Sequence, residues 1–220
     1  MQSNRDSALK VAEFLLQIKA VKLNPKAPFT WASGRKAPIY CDNRITLSYP
    51  RIRTFIRQEF VREITDRFGK PDAIAGVATG GIAHGALIAQ ELDLPFMYVR
   101  SADKGHGLGN RIEGQVSPGR SVVVVEDLIS TGGSSLSAVN ALREADCEVK
   151  GMAAIFTYGF EVAEKNFQNA HCDLVTLSDY DHLIAQALKS GYIDDAMTET
   201  LKEWRQSPET WNTPTAAHEN

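Results

Sequence analysis

Two carboxylates, Glu126 and Asp127, follow four valines (Val122–Val125) and precede Leu128-Ile129-Ser130-Thr131-Gly132-Gly133-Ser134-Ser135. Four β-branched residues in a row predict a strand buried on both faces, covering residues 121–125, with the acidic pair at its carboxyl end. The hydroxyls and glycines that follow suit an anion. Glycine lets backbone N–H groups close around a phosphate, and the helix expected over 134–145 adds its partial positive end. Ser130, Thr131, Ser134 and Ser135 would add hydroxyl donors to the same anion. Carboxylates repel a bare phosphate, so Glu126 and Asp127 must face something else. A ribose diol, which donates hydrogen bonds, fits, and so does the shell of a Mg²⁺ ion. The stretch therefore suits a ribose carrying a 5′-phosphate. The plainer alternative is a strand–turn–helix whose acids only cap the helix.

A second group is cationic. Arg100, Lys104 and His106 stand among Gly105, Gly107, Gly109 and Gly114 in a segment, 101–116, that reads as one long loop. Such a strip can fold over a pyrophosphate and expel water; otherwise it is a solvated surface loop. Gly76-Val-Ala-Thr-Gly80-Gly81 ends another expected strand. Its glycines either hold pyrophosphate on free N–H groups or let helix and strand pack closely. Arg35, Lys36 and Arg44 form a second cationic group, in a segment broken by Pro25, Pro28, Gly34 and Pro38. Read alone, they are ordinary solvated charge.

Other chemistries lose support. GxxxxGK[ST] and GxGxxG do not occur, which counts against ATPase and dinucleotide-binding readings. Cys41, Cys147 and Cys172 are far apart and form no CxxC, so neither a disulfide framework nor a thiolate zinc site is expected. The histidines lack ligand-like spacing. A net charge of −3 argues against bulk nucleic-acid binding. No apolar run approaches a membrane span. The polar start MQSNRDSALK lacks the apolar core of a signal peptide. A cytoplasmic setting is expected.

The elements that must position these groups alternate. Helices are expected over about 6–20 and 52–68. Then come strand 73–78, helix 82–92, strand 96–99, strand 121–125, helix 134–145, strand 149–157, helix 160–167, strand 174–177, and helices 182–189 and 194–205. This predicts an α/β fold: a mainly parallel twisted sheet flanked by helices, with a small N-terminal cap. Ligands of such sheets bind at the carboxyl ends of the strands. We expect residues 1–50 to form the N-terminal helix and cap, 51–205 the α/β core, and 206–220 a polar tail.

The run VVVVEDLISTGGSS resembles the phosphoribosyl pyrophosphate (PRPP) motif of type I phosphoribosyltransferases. Tyr98-Val-Arg100 through Arg111-Ile-Glu113-Gly resembles the catalytic loop of the orotate phosphoribosyltransferase family. Phe29-Thr-Trp-Ala-Ser-Gly-Arg35-Lys36-Ala-Pro-Ile-Tyr40 resembles that family's base-binding cap. The three occur in the family's order, and the resemblance covers roughly residues 6–205. It implies transfer of a phosphoribosyl group from PRPP, with Mg²⁺, to orotate, giving orotidine 5′-phosphate and pyrophosphate. It assigns Arg100, Lys104, His106 and Asp127 to catalysis. It assigns PRPP binding to those three cations, to Glu126 and Asp127, and to Leu128, Ile129, Ser130, Thr131, Gly132, Gly133 and Ser134. Ser130, with Arg35 and Lys36, would meet orotate. It also implies a homodimer whose loop cations serve the neighbouring subunit, with no nucleic acid or membrane partner. Three family lysines are replaced, by Ala32, Gly80 and Ser101. A purine phosphoribosyltransferase and a non-catalytic PRPP-binding regulator of the same fold are the competing readings.

Overall fold

The computed structural model describes residues 4–31, 33–100, 111–115 and 117–211. Six strands form the main sheet: β5 (Ala73–Val77), β6 (Phe96–Val99), β7 (Ile112–Glu113), β8 (Ser121–Ile129), β9 (Glu148–Thr157) and β10 (Leu174–Asp179). Their order is β10-β9-β8-β5-β6-β7. All pairs are parallel except β7 on β6. The α/β fold with a mainly parallel sheet is the one the alternation predicts.

The four valines are fully buried, and their side chains alternate between two cores. Val123 and Val125 pack on one face with α1 (Arg5–Gln17), α2 (Pro50–Phe68), α3 (Gly80–Leu92), α6 (Tyr180–Lys189) and α7 (Asp195–Gln206). Val122 and Val124 pack on the other with α4 (Gly133–Glu144) and α5 (Glu161–Asn169). Period-two alternation with helices on both sides is what a run of β-branched residues permits.

The sheet order fixes the site. From β5 the chain crosses through α3 to β6 on one side, then returns to β8 on the other. The crevice outside the carboxyl ends of β5 and β8 is thus a topological switch point. Thr79–Gly81 and Glu126–Gly133 meet there.

Three expectations need correction. The strand expected to stop at Val125 runs on to Ile129, so Glu126 and Asp127 lie inside it. The ladder to β9 continues through Glu126↔Ala154, Leu128↔Phe156 and Ile129↔Thr157, and a long partner satisfies the backbone despite two residues that disfavour strands. Within the expected loop 101–116, Ile112–Glu113 form β7; residues 101–110 and 116 lie outside the described residues. The broken segment 24–44 is also partly regular. β1 (Val21–Leu23) pairs with β4 (Ile39–Cys41), and β2 (Phe29–Thr30) with β3 (Lys36–Ala37). Gly34, at φ +82°, makes the turn of the second pair possible. A 3-10 helix, Asn43–Ser48, then leads to α2.

Candidate active site

The phosphate cradle is a turn tied down at both ends. Gly132, at φ +81°, caps α4, and its carbonyl accepts from Leu136 N at 2.8 Å. A Cβ there would also lie 2.7 Å from the Phe167 ring, so only glycine fits. Thr131 O accepts from Asn166 Nδ2 at 2.9 Å, and Ile129 O from Tyr158 N at 3.2 Å. Residues 130–133 are therefore held at the N-terminus of a twelve-residue helix, where an anion is favoured.

The acidic pair divides. Glu126 is buried; it accepts from Ser135 Oγ at 3.0 Å and from Asp127 N at 2.9 Å. Ser135 was expected to face the anion. It turns inward instead, because a buried carboxylate needs its hydroxyl. Asp127 is only half-buried and faces α3. Burial pushes both carboxyls up, Glu126 to about 8; Asp127 beside it adds to the rise of Glu126, while the Arg44 guanidinium pulls Asp127 down.

The sign of the pH effect follows. Between its ordinary 4.5 and about 8, folded Glu126 keeps a proton that the unfolded chain has lost. Stability therefore falls as pH rises through that window and is not regained above it. Glu126→Gln is expected to flatten this decline in melting temperature between about pH 5 and about pH 8. An unchanged decline would assign it to other groups.

The glycines of 76–81 have a packing cause. A Cβ on Gly81 would lie 2.2 Å from Val125 O, and one on Gly76 would lie 2.7 Å from Gly81 O. The first turn of α3 thus rests directly on β5 and β8. A Cβ on Gly80 would lie 2.2 Å from the Asp127 carboxyl carbon.

Asn43 escaped the sequence reading. It is fully buried, and its Nδ2 donates to Asp127 O at 2.6 Å, joining the N-terminal segment to β8. Its partner lies 84 positions away, and no local pattern marks that distance. Asn43→Ala should cost about 1–3 kcal/mol, read from the denaturant midpoint, because the bond's other half stays buried. A loss below about 0.5 kcal/mol would mean that water replaces the bond. Also missed is an aromatic ladder: Trp31 stacks on Tyr158 at 5.4 Å, Tyr158 stacks on Phe160 at 5.4 Å, and Trp204 meets all three rings.

A cavity of about 1030 Å³ lies beside the cradle. Arg35, Lys36, Ser130 and Thr131 line it, so the cationic segment and the PRPP-like loop share one space. Lys36 Nζ donates to Thr30 Oγ1 at 2.7 Å, and Arg35 pairs with Glu209 at 3.2 Å. Leu128 and Ile129 lie in β8, and Gly133 and Ser134 open α4. Arg100 follows β6 and pairs with Glu113 at 3.4 Å. Arg44 pairs with Asp42 at 2.7 Å. Lys104 and His106 lie outside the described residues.

Over residues 50–184 the chain matches the phosphoribosyl transferase domain family. It is 60% identical over 201 residues to the orotate phosphoribosyltransferase of Porphyromonas gingivalis, covering 91% of this chain and 96% of that one. The chain belongs to the orotate phosphoribosyltransferases. That of Listeria innocua is 55% identical over 202 residues, 92% of this chain and 97% of its own. The crystal structure of orotate phosphoribosyltransferase from Aeropyrum pernix superposes with a TM-score of 0.72 at 28% identity, over 84% of this chain and 99% of that one.

At Gly80, where the family pattern carries a lysine, the Asp127 carboxyl occupies the space a side chain would need. Ala32 and Ser101 lie outside the described residues. Among the described residues, no three His, Cys, Asp or Glu side chains converge on a metal. A Mg²⁺ that arrives on a pyrophosphate needs only one or two protein carboxylates. Asp127 fits that need better than Glu126, whose oxygens are already engaged.

Proposed function

We propose that this chain transfers the 5-phosphoribosyl group of PRPP to N1 of orotate, giving orotidine 5′-phosphate and pyrophosphate, the penultimate step to UMP. One observation carries this reading. The acidic pair immediately precedes the Ser130–Gly133 turn at the start of α4, and Ser130 and Thr131 of that turn line one cavity with Arg35 and Lys36.

The roles follow from the chemistry of each group. The turn, with Ser134, binds the 5′-phosphate. Asp127 holds the ribose diol, with Glu126 behind it, and lies near the positive charge that develops as the bond from C1 to pyrophosphate breaks. The bond from N1 to C1 forms on the opposite face. Ser130, Arg35 and Lys36 orient the orotate ring and its carboxylate. Mg²⁺, when bound, neutralises the pyrophosphate and steadies its departure. Arg100, Lys104 and His106 take up the rest of its charge, and their closure keeps water from PRPP. By family resemblance these cations serve the neighbouring subunit, so we propose a homodimer with shared sites. We also propose the division into a cap (1–50), a core (51–205) and a tail (206–220), and a cytoplasmic setting. No described helix is long and apolar enough to cross a membrane.

Pyrophosphate release tests the reading. It should require orotate, PRPP and Mg²⁺ together, and a chelator should stop it. Release without orotate would make the protein a PRPP hydrolase, and no release from folded protein would favour the regulator. Lys104→Ala should lower kcat by about 10- to 100-fold, with the KM for PRPP within about threefold, if its contact strengthens as charge leaves. An unchanged kcat would remove Lys104 from that role.

A further inference from the structure

Arg205, at the end of α7, is a cavity-lining cation that no motif singles out and no role above uses. A short chain of contacts fixes its position. Ile129 O accepts from Tyr158 N at 3.2 Å, and Gly159, the next residue, accepts at its carbonyl from Arg205 Nη2 at 3.3 Å. Ser130 follows Ile129. The guanidinium therefore sits on the chain beside Ser130, and Ser130, Gly159 and Arg205 line the same cavity.

The fold makes room for it. Gly159 has φ +64°, and a Cβ there would lie 2.8 Å from Arg205 Nη2. Any other residue at 159 would push the guanidinium away. The Tyr180 ring carries the guanidinium at 5.5 Å. Tyr180 is buried and donates to Leu201 O at 2.9 Å, so this platform is fixed. Arg205 is thus held from two sides.

Its ion partner is the exposed Asp181. An exposed pair is worth little, so a carboxylate that enters the cavity can share or displace it. The other cavity-lining charges also have partners, and Lys36 Nζ donates to Thr30 Oγ1 at 2.7 Å. Arg35 pairs with Glu209 at 3.2 Å, Lys202 with Glu199 at 2.7 Å, and Glu161 with Lys165 at 2.5 Å.

We propose that Arg205 joins Arg35 and Lys36 in binding the carboxylate of the base and so helps to select a carboxylated pyrimidine. A planar fork of N–H donors matches a planar carboxylate, which the point charge of a lysine does not. The proposal rests on the orotate reading above and extends it to a residue of the C-terminal helix.

Steady-state kinetics of full-length Arg205→Met, Arg205→Lys and Asp181→Asn test it. Arg205→Met keeps the packing stem and removes the charge. The KM for orotate should rise about 10- to 100-fold, the worth of one bond to a charged group, with the KM for PRPP within about twofold. Arg205→Lys should restore part of the loss. Asp181→Asn should leave the KM for orotate unchanged or lower it, because it frees the guanidinium. An unchanged KM for orotate in Arg205→Met would overturn the proposal. So would equal shifts of both KM values and of the melting temperature in Arg205→Met and Asp181→Asn, because that pattern marks a strut for α7. Wild-type protein that does not turn over orotate would overturn the underlying reading instead.

Discussion

Asp127→Asn is expected to lower kcat by about 10²–10³-fold, the usual cost of one group aimed at developing charge. The melting temperature should stay level or rise. Both follow from the same geometry. Asp127 is half-buried against the first turn of α3, next to a second carboxyl that is already crowded by burial. Removing the Asp127 charge lowers the cost of ionising Glu126, which keeps its proton up to about pH 8 beside that charge. The side chain keeps its size, so Gly80 still faces a planar group. What is lost is the negative charge beside C1 when the ribose becomes cationic. A charge held half-buried beside a buried carboxyl stores instability that function uses. The check is a kcat measurement beside a thermal melt. Full activity in Asp127→Asn would remove Asp127 from the transition state. Lost activity with a much lower melting temperature would make it a structural residue.

Gly81→Ala is expected to prevent folding, or to cost more than about 4 kcal/mol. The new Cβ would lie 2.2 Å from Val125 O, inside the main-chain ladder of β8. A crowded side chain can change rotamer for about 1–3 kcal/mol. A backbone carbonyl bonded in a central strand has no such freedom, so α3 would have to lift off the sheet. Gly119→Ala is the contrast. Gly119 has φ +77° but nothing within 4 Å of a new Cβ, so only the local backbone cost of about 1–2 kcal/mol applies. Denaturant unfolding of both variants separates the two causes. A Gly81→Ala protein as stable as Gly119→Ala would show that α3 does not rest on β8 as described.

Much of this site could be read from the sequence, because its strongest signals are local. Val122–Val125 forces a buried strand, and Gly132 and Gly133 after it force a turn into a helix. Order along the chain then supplied the sheet and its carboxyl edge. What the sequence did not show depends on partners far away. Glu126 and Asp127 look like loop residues until β9 is known to extend the ladder to Thr157. Ser135 looks like a phosphate donor until Glu126 is found buried behind it. Gly80 and Gly81 suit either a ligand or close packing, and only the approach of α3 to β8 shows the packing. Asn43 and Arg205 carry no motif. Each is placed by contacts across the fold, Asn43 with Asp127 O, and Arg205 with Gly159 O and the Tyr180 ring.

The most direct test of the central claim is the base requirement. Purified protein with Mg²⁺ and PRPP would be given orotate, uracil, adenine or hypoxanthine in separate reactions, each followed by its own absorbance change. PRPP-dependent consumption of orotate alone is the expected result. Turnover of a purine would keep the cradle and the sheet edge, but it would contradict the reading of Arg35, Lys36 and Ser130 as an orotate site.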